Sequence, residues 1–399
     1  MVFYAIITRK EIHLSLFDLL CYGHAIIHAL IMTALAAGIF LEWKRGKRGS
    51  SLPDTAKIKV SVIIPVHNES ARMGGLIRTL LDQSYNAKII FVDDRSNDES
   101  PVMLARFAED AAKRGIDCKI ITLTDNPGPN YKQYALSRGI TEADGDYLLF
   151  TDGDCEVPPD WVRLMISRMD EKTGAVLGPV FKKKQGKGFL PLFQCYDHVL
   201  RYNFLTGATG LGAAGGGFGN NLIVSRKALD AVGGYDAIPA SPTEDAALIS
   251  QIRGKYLVRA ITAGKAAVQT EAEKTWPSFI KQSLRWHNGG LFSPEILTRL
   301  NYNLLALIIG TGILVIPLLP LFPGLWPLPA GVLFNMTTIT IASLALYREN
   351  FPYNRLLQKT GYFLCFLFMP FYFTLMTIMS YAKIKTTWKN EELKIKSGR

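Results

Sequence analysis

Two carboxylates two residues apart follow an apolar run in the middle of the chain. Residues 147 to 150 (Tyr-Leu-Leu-Phe) predict a buried strand, and Asp152 and Asp154 come directly after it. At the carboxyl end of a parallel strand, such a pair can offer hard oxygen ligands to Mg²⁺ or Mn²⁺. Asp-Gly-Asp is also an ordinary turn sequence, so the spacing alone favours a solvated turn. The rest of the chain decides between these two interpretations.

Polar residues follow two earlier apolar runs in the same way. Residues 60 to 66 end at His67-Asn68-Glu69, and residues 88 to 92 end at Asp93-Asp94-Arg95-Ser96. Strands that alternate with helical patterns at this spacing predict an α/β fold, a parallel sheet with helices on both faces and a Rossmann-like nucleotide-binding half. The three polar groups would then surround one crevice at the carboxyl edge. The first strand is followed by neither a Walker P-loop nor a Gly-x-Gly-x-x-Gly motif, which counts against a P-loop ATPase or a dinucleotide enzyme.

Two further motifs lie on predicted helices. Thr243-Glu244-Asp245 stands at the start of a predicted helix over residues 243 to 251, where the helix dipole alone also favours acidic residues. Gln282, Arg285 and Trp286 recur at i, i+3 and i+4, so they share one face of a helix begun by Trp276-Pro277. That helix could equally lie at a membrane surface, anchored by Phe279, Leu284 and Trp286.

Weaker signals surround these motifs. Lys132 and Arg138 suit either a phosphate contact or surface solvation. The glycine-rich stretch from Gly207 to Gly219 predicts a mobile loop over a site rather than a phosphate cradle.

Three long runs without charged residues predict membrane segments. Residues 300 to 347 can cross a ~30 Å hydrocarbon core twice, with prolines 317 to 327 at the turn. Residues 360 to 382 form a second run. Residues 19 to 41 form a third, interrupted only by His24 and His28, which we expect to pack between helices.

Basic flanks set the expected topology. The cations in residues 43 to 48 place residues 42 to about 299 in the cytosol under the positive-inside rule, and the protein in the plasma (inner) membrane. A fourth full crossing would put the basic tail outside. Either residues 360 to 382, with Pro370 in the middle, form a re-entrant or interfacial element, or the rule is broken here; we favour the first.

The net charge of +11 does not require a nucleic-acid partner, because the basic residues collect beside the apolar segments and in Lys182-Lys183-Lys184. Anionic lipid headgroups explain that placement. The five cysteines have no zinc or redox spacing, and we interpret them as reduced and structural.

These patterns divide the chain into four parts. They are an N-terminal transmembrane segment with its basic flank (residues 1 to 50), a cytosolic domain (51 to 275), an amphipathic interface helix (276 to 299), and a C-terminal transmembrane region with a basic tail (300 to 399).

The motifs, taken in order, resemble the family 2 glycosyltransferases with the GT-A fold. The resemblance is to the membrane-embedded branch that includes cellulose, chitin and hyaluronan synthases and ceramide glucosyltransferase. The segments that carry it are residues 62 to 69, 92 to 96, 152 to 154, 243 to 245 and 282 to 286.

The resemblance implies a nucleotide-sugar-binding domain with transmembrane helices at both ends, and it implies a role for each motif residue. Asp245 would be the general base, and Asp152 and Asp154 would hold a divalent metal, Mg²⁺ or Mn²⁺. The donor would be bound by Pro65, His67, Glu69, Asp94, Asp152 and Arg285. The acceptor side would be formed by Glu244, Gln282 and Trp286.

The expected activity is therefore inverting transfer of a sugar from a nucleotide-diphospho-sugar, UDP-linked, to a lipid or lipid-linked acceptor. The alternatives are a processive polysaccharide synthase and a catalytically inactive scaffold for transport or assembly. The few apolar runs after the cytosolic domain count against a polymer-conducting channel, and the intact acidic motifs count against the scaffold.

Overall fold

A computed structural model describes residues 15–47, 58–183, 188–347 and 356–382, with short backbone segments at 387–388 and 391–392. Several residues used in the sequence analysis lie outside this description. They are residues 51–57, Arg48, Lys184 and the cations of the basic tail, Lys383, Lys385, Lys389, Lys394, Lys396 and Arg399.

The described strands follow the chain in order. They are β1 (Val60–Val66), β2 (Lys88–Asp94), β3 (Cys118–Leu123), β4 (Tyr147–Phe150), β5 (Cys155–Glu156), β6 (Thr173–Leu177), β7 (Val180–Lys182), β8 (Leu222–Ser225), β9 (Leu257–Ala260), β10 (Val268–Thr270), β11 (Thr387–Trp388) and β12 (Glu391–Glu392).

The described helices are α1 (Leu16–Gly46), α2 (Gly74–Leu81), α3 (Ser100–Lys113), α4 (Tyr131–Thr141), α5 (Trp161–Ile166), α6 (Phe189–Gly210), α7 (Arg226–Ala231), α8 (Glu244–Arg253), α9 (Trp276–Leu291), α10 (Ile296–Leu314), α11 (Pro327–Tyr347) and α12 (Leu356–Tyr381).

A seven-stranded sheet in the order β3-β2-β1-β4-β8-β6-β9 forms the centre of the α/β part. Strands β3, β2, β1 and β4 are parallel, as the sequence predicted, so their carboxyl ends share one edge. Strand β8, which the sequence analysis did not identify, runs antiparallel to both β4 and β6, so the complete sheet is mixed. The apolar pattern of a buried strand does not encode its direction. A second sheet, β5-β10-β7, lies beside this edge.

Helices cover both faces of the parallel strands. Val62 lies in one core cluster with Leu76 of α2 and Phe107 of α3, whereas Ile63 lies in another cluster with Leu136 of α4. Successive side chains of a strand point to opposite faces, so an uninterrupted apolar strand such as β1 fits a sheet covered on both sides.

Helix α6 joins the sheets to the apolar helices, packing against β7 and β9 on one side and α1, α11 and α12 on the other. It continues through Gly210, so the prediction of a loop from Gly207 onward is wrong at its start. Backbones touch where α6 crosses α1: a Cβ at Gly38 would overlap the carbonyl oxygen of Gly207, and a Cβ at Gly210 would overlap that of Gly38. The first glycines of this stretch therefore serve helix packing.

Four helices within the described ranges are long and apolar enough to cross a membrane, judged by length and composition. They are Leu16–Gly46, Ile296–Leu318, Pro323–Leu346 and Gly361–Tyr381. Helix α12 continues through Pro370. Because an unbroken helix does not reverse direction, the expectation of a re-entrant element there is wrong; an interfacial placement stays a prediction.

The two histidines of α1 contact neighbouring apolar helices. His24 Nε2 lies 2.9 Å from Thr311 Oγ1 and 3.0 Å from the carbonyl oxygen of Ile308, and His28 Nε2 lies 3.2 Å from the same carbonyl. The predicted packing role fits these contacts.

Helix α9 differs from the predicted interface helix in two respects. It ends at Leu291, and residues from Ile296 onward belong to α10, so the boundary at residue 299 is wrong. Phe279 and Leu284 are buried inside the protein, so neither anchors a membrane surface. The ring of Phe279 stacks on Tyr372 of α12, with centroids 5.6 Å apart.

No disulfide joins any of the five cysteines, all of which lie in described ranges.

Candidate active site

Strained backbone marks the ends of β1 and β2. Asn68 and Arg95 have φ angles of 52° and 59°, in the left-handed region that non-glycine residues rarely adopt. The Asn68 N–H donates to Ser96 Oγ at 3.0 Å, and the Asn97 N–H donates to Asn68 Oδ1 at 2.9 Å. His67 Nδ1 is hydrogen-bonded to the carbonyl of Asp94. These bonds hold the two strand ends together as one wall.

Asp94 is enclosed within this wall. Its side chain is 1% exposed, Arg95 Nε donates to Oδ1 at 2.8 Å, and Asn126 Nδ2 donates to Oδ2 at 2.9 Å. The Arg95 guanidinium lies over the ring of Tyr131, with Cζ 4.9 Å from the centroid. Both oxygens of the Asp94 carboxylate are therefore hydrogen-bonded within the protein.

Arg72 links the end of β1 to the second acidic residue after β4. Its guanidinium lies 2.7 Å from Glu69 Oε2, and its Nη1 lies 3.5 Å from Asp154 Oδ2. Thr270 Oγ1 of β10 donates to the same oxygen of Asp154 at 3.2 Å. Asp154 is therefore oriented from both sides.

Lys132 connects the first acidic residue after β4 to the start of α8. Its Nζ lies 2.7 Å from Asp152 Oδ1 and 3.3 Å from Glu244 Oε1, and only 14% of the lysine side chain is exposed. Burial opposes the charge of Lys132, but Asp152 and Glu244 outweigh it and hold the pKa of the ammonium group above its usual range. Lys132 is thus a cation here, paired with two carboxylates.

Asp245 is the half-buried carboxylate beside Glu244. The Gly219 N–H donates to its Oδ2 at 2.7 Å, and the Ala246 N–H donates to its Oδ1 at 2.8 Å. Burial, with the neighbouring charge of Glu244, raises the pKa of Asp245 to about 6, against the opposing effects of Lys132 and the two N–H groups. A carboxylate with this pKa can accept a proton near neutral pH.

The three motif residues of α9 contact different partners. Arg285 Nη1 donates to the carbonyl of Pro242 at 3.3 Å, beside the start of α8, while Gln282 Nε2 donates to Glu273 Oε1 at 3.3 Å. Trp286 lies under the Arg201 guanidinium, with Cζ 5.4 Å from the ring centroid. The structure therefore brings Arg285 to the segment that carries Asp245, while Trp286 faces α6.

Lys182 and Lys183 lie beside the acidic cluster. Lys182 is buried and its Nζ donates to the carbonyl of Glu271 at 2.9 Å, while Lys183 Nζ pairs with Glu156 at 2.9 Å. The interpretation that these lysines face lipid headgroups is therefore wrong for both.

The pair Asp152 and Asp154 fits a divalent ion that arrives with a substrate. The two side chains are 30% and 19% exposed. No group of three or more His, Cys, Asp and Glu side chains in the described part of the chain could hold a metal. Mg²⁺ is usually bound by one or two carboxylates together with substrate phosphates, so two partly exposed carboxylates suffice.

Sequence reasoning missed three contributors. Arg72 stands three residues after Glu69, a helical spacing that could have signalled the pair. Thr270 and the Gly219 N–H come from distant segments, and nothing in their local sequence connects them to Asp154 or Asp245.

The mixed sheet, with acidic residues at the carboxyl ends of its parallel strands, is the GT-A fold that the sequence predicted. Residues 61–233 match the family Glycosyl transferase family 2. The predicted fold class is confirmed, and the match over residues 61–233 agrees with the predicted family.

Curated relatives and a solved structure agree with this assignment. The chain is 34% identical over 138 residues to undecaprenyl-phosphate 4-deoxy-4-formamido-L-arabinose transferase from Enterobacter sp. (strain 638), covering 33% of this chain and 39% of the relative. It is 28% identical over 248 residues to the probable glycosyltransferase YdaM from Bacillus subtilis (strain 168), covering 59% and 56%. The chain thus spans about two fifths to just over half the length of these relatives.

The fold is also shared with the mannosyltransferase PcManGT from Pyrobaculum calidifontis, solved in complex with GDP-Man and Mn²⁺. The TM-score is 0.50 at 19% identity, covering 92% of this chain and 100% of that one.

Proposed function

We propose that this protein is a membrane-bound inverting glycosyltransferase that moves a sugar from a nucleotide-diphospho-sugar, UDP-linked, to a lipid or lipid-linked acceptor. The observation that carries the proposal is the environment of the Asp245 carboxylate. Two backbone N–H groups orient this carboxylate and burial raises its pKa, while the adjacent Glu244 is linked through Lys132 to Asp152. A proton acceptor and a metal-binding pair thus belong to one constellation.

The donor half of the site is the edge where β1, β2 and β4 end. In our proposal, Pro65, His67 and Glu69 line the nucleotide pocket, and Asp94 accepts a hydrogen bond from the base once Arg95 turns away. A buried carboxylate makes that bond selective, because a wrong base leaves it unpaired. Arg285 contributes a planar fork that suits the diphosphate.

Asp152 and Asp154 would hold a divalent ion against the diphosphate. When bound, the ion supplies positive charge that stabilises the departing diphosphate. Arg72 and Thr270 keep Asp154 oriented for this task.

Asp245 acts from the acceptor side. Its carboxylate takes the proton of the attacking acceptor oxygen as that oxygen bonds to the anomeric carbon, while the bond from this carbon to the diphosphate oxygen breaks. A single base opposite the leaving group gives inversion, so an α-linked donor yields a β-linked product. Glu244, Gln282 and Trp286 would bound the acceptor.

Two observations support a lipid acceptor. Helix α9, which carries Arg285 and Trp286, packs directly against α10 and α12, which are apolar enough to cross a membrane. The Enterobacter relative is named as a transferase for undecaprenyl phosphate, a lipid phosphate. The catalytic domain would face the cytosol at the plasma (inner) membrane, where nucleotide-sugars are available.

Radiolabelled product analysis tests this proposal. The full-length protein in lipid vesicles is incubated with UDP-glucose, UDP-galactose, UDP-N-acetylglucosamine or GDP-mannose, each with Mg²⁺ or Mn²⁺ and a membrane lipid extract. We expect a chloroform-soluble product carrying one sugar from a UDP-linked donor, and none with Asp245→Asn. A long insoluble product would contradict the proposal and indicate a processive polysaccharide synthase. Unchanged biological activity of Asp245→Asn would favour the catalytically inactive scaffold.

A further inference from the structure

We infer that Lys132 is a positioning residue: its ammonium group holds Glu244, and with it the first turn of α8 that carries Asp245, against the donor-side carboxylate Asp152. The inference rests on the proposed function, because it gives Lys132 a task for the proposed base.

The geometry of the acidic cluster sets Lys132 apart from the other cation in it. Arg72 joins Glu69 and Asp154, and both of these carboxylates lie in the proposed donor half. Lys132 instead joins a donor-half carboxylate at 2.7 Å to a carboxylate of α8 at 3.3 Å. Within the described ranges, these two ion pairs connect one cation of α4 to a carboxylate of the proposed donor half and to a carboxylate beside the proposed base.

The helix that carries Lys132 is fixed to the segment before α8. Asn130 caps α4 and its Nδ2 donates to the carbonyl of Ser241 at 2.7 Å, while Gln133 Nε2 donates to the carbonyl of Ile238 at 2.8 Å. The two residues that flank Lys132 in this turn thus fix the backbone from which the lysine side chain extends.

Charge explains why a cation is needed at this point. Glu244 is 5% exposed and adjacent in sequence to half-buried Asp245, and Asp152 approaches the same ammonium group. Like-charged carboxylates in a partly desolvated site repel each other, and a buried charge without a partner is strongly unfavourable. Without Lys132, Glu244 would lose its cationic partner and turn outward, which moves the start of α8.

The groups around Asp245 determine the direction of the effect on acidity. Glu244 raises the pKa of Asp245, Lys132 lowers it, and the buried hydroxyl of Tyr235 lies in the field of the same carboxylates. Arg285 contacts the segment just before α8, where its Nη1 donates to the carbonyl of Pro242. Removing the Lys132 charge therefore raises the pKa of Asp245 further, and restoring a cation at this position reverses the change.

The test uses Lys132→Met, Lys132→Arg and, as a matched control, Lys113→Met, which removes an exposed lysine paired with Asp110 at 2.9 Å. Hydrogen exchange of residues 241–250 is measured on the full-length protein. We expect faster exchange in Lys132→Met only. If exchange in Lys132→Met equals that in the control, the inference is overturned, whether or not the protein transfers sugar. A failure of the proposed function is seen separately, in the product assay.

Kinetics supply the second measurement. We expect Lys132→Met to lower kcat and to move the acid limb of the pH profile upward by about one unit, with donor binding retained and the limb restored by Lys132→Arg. In a Glu244→Gln background the Lys132→Met change should lower kcat little further, since the coupled partner is already gone, while the direct effect of the lysine charge on the pKa of Asp245 remains. Loss of donor binding with an unmoved acid limb would make Lys132 a donor ligand and overturn the inference.

Discussion

The backbone N–H of Gly219 donates a 2.7 Å hydrogen bond to Oδ2 of Asp245. Gly219 belongs to the segment that follows α6, the helix on which α1 packs, whereas Asp245 lies in the first turn of α8. The orientation of the proposed base therefore depends on a segment that follows α6, which packs against α1, a helix apolar enough to cross a membrane.

Substitution of Gly219 should disturb Asp245 directly. A Cβ at this position would lie 3.2 Å from both Cβ and Oδ2 of Asp245, closer than side chains normally approach. We expect Gly219→Ala to lower kcat about tenfold, because small displacements of a catalytic group are costly. Steady-state kinetics with the radiolabelled donor measure the effect.

Gly216→Ala is the matched control for Gly219→Ala. A Cβ at Gly216 would meet Leu205 at 3.4 Å and Ala246 at 3.7 Å, which are ordinary contacts. Equal loss of kcat in both variants would show that the loop, rather than its contact with Asp245, controls activity.

The acidity of Asp245 predicts the pH dependence of transfer. Burial and Glu244 raise its pKa to about 6, so the carboxylate is ionised above that pH and protonated below it. We expect kcat/KM to fall about tenfold per unit as the pH drops below about 6, since a protonated carboxyl cannot accept the proton of the acceptor oxygen. A profile of kcat/KM between pH 4.5 and 8 that stays flat through this region would remove Asp245 from the role of base.

Much of the α/β half could be predicted from the sequence. Strands β1 and β4 have the predicted bounds, because uninterrupted apolar runs that end at polar residues specify both the strand and its end. The three strand-end motifs then share an edge as a consequence of parallel pairing. The direction of β8 could not be predicted in this way, because its pairing with β4 connects segments about seventy residues apart.

The side-chain contacts of the site were less accessible to sequence reasoning. The sequence around Lys132 fits surface solvation as well as it fits a phosphate contact. Only the docking of α4 on residues 238–241 brings the ammonium group to Asp152 and Glu244. Likewise, the apolar residues of α9 fit a membrane surface until the structure shows Phe279 packed on Tyr372. An amphipathic pattern identifies the buried face of a helix but not what covers it.

A buried carboxylate attaches the end of α1 to the sheet. Glu42 is fully buried, lies 2.6 Å from Arg45 Nη1 and 3.7 Å from Arg168 Nη2, and accepts the Ala260 N–H at 2.9 Å. We expect Glu42→Gln to destabilise the protein by roughly 3 kcal/mol, because an uncharged amide leaves the guanidinium groups without their anion. Thermal unfolding of the detergent-solubilised protein measures this loss.

The exposed carboxylate of Glu99 provides the control for Glu42. Glu99→Gln should unfold at the temperature of the unaltered protein. If Glu42→Gln also unfolds at that temperature, the buried ion pairs do not hold α1 on the sheet.

The crossing of α1 and α6 predicts a difference between two glycines of one helix. A Cβ at Gly38 would overlap the carbonyl oxygen of Gly207, whereas a Cβ at Gly23 would have no heavy atom within 4 Å. We expect Gly38→Ala to force the helices apart and lower the unfolding temperature, and Gly23→Ala to leave it unchanged or raise it slightly, because alanine favours the helix by up to about 1 kcal/mol. Thermal unfolding of both variants in the same detergent checks the difference, and equal midpoints would show that the backbones of α1 and α6 are not in close contact at Gly38.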